Sequence, residues 1–117
     1  MTITGADDGI DARNNVTGAL SITTTGTTTG GDDGIYANNS SAGASLTINA
    51  ATTTGGAYGI YAANSGTGAL SITTTGKTTG GTGHGIYAIN PRSGGTSINV
   101  ASTGSIETSA DGGHGIF

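Results

Sequence analysis

Cysteine and tryptophan are missing from this chain of 117 residues, proline occurs once, and charged residues make up only 9%. Each scarcity closes a route. Without cysteine there are no disulfides and no thiolate metal ligands, although the compartment stays open. The basic residues are Arg13, Lys77 and Arg92, set against seven acidic ones for a net charge of −4. No basic face is available to meet nucleic acid or an anionic membrane surface. No apolar run approaches a membrane span, and Met1-Thr2-Ile3-Thr4-Gly5 lacks the charge and apolar stretch of an export signal. Large apolar residues are few: three Leu, twelve Ile, two Val and one Phe. So sparse a set favours disorder when net charge is high. Here charge is low and the isoleucines are evenly spaced, which predicts a thin, ordered core.

What the chain does contain is repetition. Gly34-Ile35-Tyr36-Ala37-Asn38-Asn39 returns as Gly59-Ile60-Tyr61-Ala62-Ala63-Asn64 and as Gly85-Ile86-Tyr87-Ala88-Ile89-Asn90. Weaker copies stand at Gly9-Ile10-Asp11-Ala12-Arg13-Asn14 and Gly115-Ile116-Phe117. The starts at 9, 34, 59, 85 and 115 lie 25, 25, 26 and 30 residues apart. A period of this size marks a solenoid, in which each repeat buries its apolar side against its neighbours.

Within a repeat, two or three short strands follow one another, separated by glycine or asparagine corners. Ile35 and Ala37 share one face and Tyr36 the other, so equivalent positions predict columns. Ile10, Ile35, Ile60, Ile86 and Ile116 fall inside. Asp11, Tyr36, Tyr61, Tyr87 and Phe117 fall outside. Asn14, Asn39, Asn64 and Asn90 suit tight corners, since asparagine tolerates left-handed backbone and can bond to its own copy one coil away. The second strand is Leu20 to Thr25, then Leu46 to Asn49, Leu70 to Thr75 and Ile98 to Ala101, with Leu20 and Ile22 inward and Ser21 and Thr23 outward. Thr27-Thr28-Thr29, Thr52-Thr53-Thr54, Lys77-Thr78-Thr79 and Ser105-Ile106-Glu107 form the third. Ile106 implies that Thr28, Thr53 and Thr78 face inward, where their hydroxyls can bond along the stack. Pro91, in the segment 90–95, and the segment 109–113 read as loops. The expectation is therefore all-β: one domain over residues 1–117, a single-stranded parallel β-helix of about four coils of 25–30 residues, roughly 20 Å tall. Neither end carries a cap, so the chain reads as a piece of a longer rod.

The Gly-Ile-Tyr-Ala-x-Asn text, followed by Gly-x-Gly-x-Leu-x-Ile-x-Thr-x-Gly, resembles the repeats of autotransporter passenger domains from Gram-negative, especially alphaproteobacterial, bacteria. The resemblance covers nearly the whole chain. It implies a right-handed β-helix displayed on the cell surface, with export signal and outer-membrane barrel supplied by segments outside these residues. It also implies adhesion, aggregation between bacteria, or service as a stalk. Some family members carry catalytic domains, but no such motif is present here.

Candidate sites are weighed against plain structural roles. Asp7-Asp8 and Asp32-Asp33 precede successive Gly-Ile units and could stack to bind calcium or to act as acid and base on polysaccharide. Ala57-Tyr58 breaks that column, and solvated turns are the expectation. His84 and His114 hold equivalent places on neighbouring coils, but two imidazoles make a poor metal site. The Tyr36, Tyr61, Tyr87 column offers either a sugar platform or simple stacking, with stacking favoured. Outward Ser21, Thr23 and Thr25, repeated at Ser71, Thr73 and Thr75, resemble the arrays of ice-binding solenoids, yet Thr47, Asn49 and Ala51 interrupt them. No nucleophile triad and no phosphate loop is present.

The sequence reading is thus a non-enzymatic surface segment, with no catalytic, metal or cofactor site. Its partners are host or bacterial surface molecules, protein or glycan, and further copies of itself, with no nucleic acid and no membrane insertion. Tyr36, Tyr61, Tyr87, Thr23 and Thr73 are the expected contacts. A passive spacer, a carbohydrate-active solenoid and an ice-binding solenoid are the alternatives.

Overall fold

The structure, a computed structural model, describes residues 1–91, 96–109 and 111–117. Among these residues, thirteen strands run in coils of three. The first coil holds β1 (Thr2–Gly5), β2 (Ile10–Asn14) and β3 (Leu20–Thr23). The second holds β4 (Thr27–Gly30), β5 (Ile35–Asn39) and β6 (Leu46–Ala50). The third holds β7 (Thr52–Gly55), β8 (Ile60–Asn64) and β9 (Leu70–Thr74). The fourth holds β10 (Thr78–Gly80), β11 (Ile86–Ile89) and β12 (Ile98–Ser102), and β13 (Ile106–Thr108) opens a further turn.

Each strand pairs, in parallel, with its equivalent one coil away. The result is three sheets: a threonine sheet β1-β4-β7-β10-β13, a tyrosine sheet β2-β5-β8-β11 and a leucine sheet β3-β6-β9-β12. This is a three-sided parallel β-solenoid. Period-2 alternation sends every second side chain into the prism. Register then does the rest: Ile10, Ile35, Ile60 and Ile86 align in one file, and Ile116 bridges to Ile86. Leu20, Leu46, Leu70 and Ile98 align in a second, with Ile22, Ile48, Ile72 and Val100 beside them. In the middle coils this core is fully buried.

Glycine opens the repeated text because backbones nearly touch there. A Cβ on Gly34 would lie 2.5 Å from the Gly59 carbonyl oxygen, and one on Gly59 would lie 2.5 Å from that of Gly85. Neither glycine has a positive φ; among the described residues only Gly18 and Gly112 do. The asparagine corners likewise use none of the left-handed freedom expected of them, because no described non-glycine residue has positive φ. Their stacking is real. Asn14 Nδ2 donates to Asn39 Oδ1 at 2.9 Å, and Asn39 Nδ2 donates to Asn64 Oδ1 at 2.8 Å. Asn64 donates to the Gly68 carbonyl instead, and Asn90 to the Thr96 carbonyl, so the ladder stops at Asn64 in the third coil.

The threonine sheet adds a strand that the repeat text does not announce. Ile3 of β1 pairs with Thr28, so the inner file runs Ile3, Thr28, Thr53, Thr78, Ile106. Three buried hydroxyls are enclosed between isoleucines at either end. Thr53 donates to Thr78 at 3.1 Å, whereas the Thr28 hydroxyl has no partner among the described residues. Principal extents of 33 × 29 × 24 Å make these coils a squat prism rather than an elongated rod. Of the expected loops, the part of 90–95 beyond Pro91 and residue 110 of 109–113 lie outside the described residues; Asp111 and Gly112 form a turn.

Candidate functional site

The five expected contact residues occupy two different sides of the prism. Tyr36, Tyr61 and Tyr87 stand in register on the outer face of the tyrosine sheet. Thr23 and Thr73 lie on the outer face of the leucine sheet, both in register with Asn49 between them. They do not converge on one site.

On the tyrosine side, parallel pairing stacks like on like. Tyr36 and Tyr61 have centroids 5.0 Å apart at 8°, Tyr61 and Tyr87 5.2 Å at 22°, and Tyr87 and Phe117 5.3 Å at 8°. The Arg13 guanidinium, ion-paired with Asp11 at 2.8 Å, covers the Tyr36 face from 4.9 Å. Tyrosine ring faces in the file are therefore occupied by other rings or by arginine, and Phe117 at its end is exposed. Edges and hydroxyls remain for solvent, so a flat platform for sugar stacking is not what this face presents. Burial raises the Tyr61 phenol above its ordinary pKa, with neighbouring tyrosines adding to the effect.

A second ring file missed by the sequence reading runs alongside. Tyr58 packs on Tyr61 and Tyr87 at 5.8 and 5.5 Å, and His84 stacks on Tyr87, His114 and Phe117. The signal was available: Asp8, Asp33, Tyr58, His84 and His114 each directly precede a Gly-Ile glycine. The two histidines do sit on neighbouring coils, 5.4 Å apart, and the His114 backbone N–H donates to His84 Nδ1 at 2.9 Å.

The same file begins with carboxylates. Asp8 Oδ1 accepts the Asp33 N–H, and Asp33 Oδ1 accepts the Tyr58 N–H, each at 3.2 Å. Asp7 and Asp32 are exposed, as expected of turn residues, but Asp33 is only 5% exposed. Burial pushes its carboxyl up to about 6, against the Tyr58 N–H, which favours the charge; Asp32 and Asp8 push it further up. Oxygens of Asp8, Asp32 and Asp33 come within 4.8 Å of one another, so these three could share a cation. Calcium takes 6–8 oxygens, which three carboxylates only begin to supply.

The leucine side carries a shallow groove of about 280 Å³ where that sheet turns toward the threonine sheet. Thr23, Thr25, Thr73 and Thr75 line it, with Asn49 and Ala51 between. Regular threonine columns, sought on this sheet, lie instead on the threonine sheet. Thr2, Thr27 and Thr52 align there, as do Thr4, Thr29, Thr54 and Thr79.

Fold and surface together define a β-solenoid with ordered outward columns of aromatic and hydroxyl side chains. Comparison with protein-family models, curated proteins and solved structures finds no match.

Proposed function

We propose that this chain is a non-enzymatic segment of a bacterial surface protein of the autotransporter-passenger kind, acting by adhesion or self-association. The observation that carries the reading is the in-register repetition of outward groups: Tyr36, Tyr61 and Tyr87 on one side, Thr23, Asn49 and Thr73 on another. Outward polar and aromatic groups recurring at ~4.8 Å let many weak contacts act together. The passenger-like repeat text supports display outside the cell, with partners among protein or glycan surface molecules or other copies of the chain. Replacing Tyr36, Tyr61 and Tyr87 with serine in the displayed protein is expected to reduce cell aggregation or surface adhesion. Unchanged aggregation and adhesion would remove the tyrosine file from the contact surface, and purified repeats that bind nothing, themselves included, would leave a spacer.

One observation favours a second reading. The outer face of the threonine sheet carries Thr-x-Thr in three successive strands, β1, β4 and β7, in unbroken register. Uncharged hydroxyls and methyls on a regular grid suit ordered water, as at an ice surface. Inhibition of ice recrystallisation by the purified chain, lost in Thr29→Lys, is the expected outcome of that reading; no inhibition would dismiss it.

A further inference from the structure

We propose that the groove on the leucine side is a subsite for a neutral glycan chain lying along the solenoid axis. This rests on the surface-contact reading and names its ligand class.

Three observations converge. The first is unsatisfied capacity. Side chains of Thr23, Thr25, Asn49, Thr73 and Thr75 line the groove, and none of them makes a hydrogen bond within the described residues. Inward hydroxyls are mixed: Thr53 bonds to Thr78 and Thr74 to Ser102 at 2.8 Å, while Thr24 and Thr28 have no partner among the described residues. Four hydroxyls and one carboxamide, each able to donate and accept, therefore border a groove whose exposed lining, with Thr24 and Ala50 included, is mostly apolar. The second is charge. Among the described residues, no ionisable side chain lines the groove. An anionic or cationic ligand would shed hydration there without meeting a counter-charge. A protein partner would find no aromatic or arginine anchor to bury. Sugars carry hydroxyls around their rim and C–H groups on their faces, and the second need is met by Ala51 and the threonine methyls. The third is shape. At about 280 Å³ the groove falls just below the usual range of ligand sites and is open to solvent, as suits a short stretch of a longer chain. Strand spacing of ~4.8 Å sets Asn49 midway between Thr23 and Thr73, so an extended chain meets a polar group at each coil. Contacts of this kind are weak singly and gain through repetition.

The test is a titration of the ¹⁵N-labelled chain with neutral malto-, cello-, manno- and xylo-oligosaccharides, with oligogalacturonate as the charged comparator. The expected result is saturable shifts confined to the amides of residues 23–25, 49–51 and 73–75 with at least one neutral series. The double substitution Asn49→Ala, Ala51→Phe should weaken that binding about tenfold or more. Neither residue belongs to the buried core, and circular dichroism of the variant should be unchanged. Should the double variant lose its β spectrum, Asn49→Ala alone serves, with the same direction expected. No saturable shift with any neutral series up to about 10 mM overturns the proposal. Binding only of the charged comparator, or binding unaltered in the variants, does the same. Adhesion is read on displayed protein and sugar binding on purified chain, so either can fail without the other.

Discussion

Single residues carry more of this fold than their size implies. Gly59 is the plainest case: with a Cβ 2.5 Å from the Gly85 oxygen, Gly59→Ala must push two coils apart. A loss of about 1–3 kcal/mol in urea unfolding is expected. Thr28 and Thr53 share one file but have opposite prospects. Thr28→Val replaces an unpartnered buried hydroxyl with a methyl of like shape and should be neutral or stabilising, whereas Thr53→Val breaks the bond to Thr78 and should cost about 1 kcal/mol. Asp33 sets a pH dependence. Its native carboxyl, raised from 3.8 to about 6 by burial, keeps its proton where the unfolded chain has released it. The native state thus binds more protons between those values, so the stabilisation present below pH 3.8 is lost as pH rises through 6. The expected loss is about 1–2 kcal/mol, allowing for solvent screening at the rim. Asp33→Asn keeps an acceptor for the Tyr58 N–H and should abolish the slope. Thermal melts between pH 4 and 8 check this, and stability rising from pH 4 to 6 would contradict it.

Strands and columns were legible where the alphabet alternates. Leu20-Ser21-Ile22-Thr23 declares its inward face because apolar and polar residues take turns, and the structure buries Ile22 while exposing Ser21 and Thr23. Thr27-Thr28-Thr29 has no such contrast; its inward member was inferred from Ile106 alone, and register confirms it. β1 is hard to read from sequence because Thr2–Gly5 lacks the Gly-Ile signature, although Thr-x-Thr-Gly is the shared phrase of β1, β4 and β7. Which sheet each column occupies depends on the corners, and corner angles leave no periodic mark. Hence the sequence alone groups Thr23 with the tyrosines as one contact set and shows Tyr58 only as the break in an aspartate column. The asparagine file is the element most open to test. Asn39→Ala strips donors from the Ala44 carbonyl and from Asn64 Oδ1, and should cost about 2–3 kcal/mol. Asn14→Ala, at the exposed end of the file, should cost less. Equal losses would argue against a cooperative ladder.

At the scale of the molecule, stability and surface chemistry come from one device. Parallel pairing at one coil's offset repeats whatever the sequence repeats: inside, a file of isoleucines; outside, files of tyrosine or threonine. The same register therefore underlies the proposed adhesion and the proposed glycan groove, since neither surface exists if the coils slip. A one-residue slip would turn every inward isoleucine to solvent. Methyl-labelled isoleucine offers the direct measurement. Nuclear Overhauser contacts should join the side chains of Ile35 to Ile60 and of Ile60 to Ile86 in sequence, with none between Ile35 and Ile86. Absence of the successive contacts, with isoleucine shifts at random-coil values, would contradict the stacked solenoid and both surfaces built upon it.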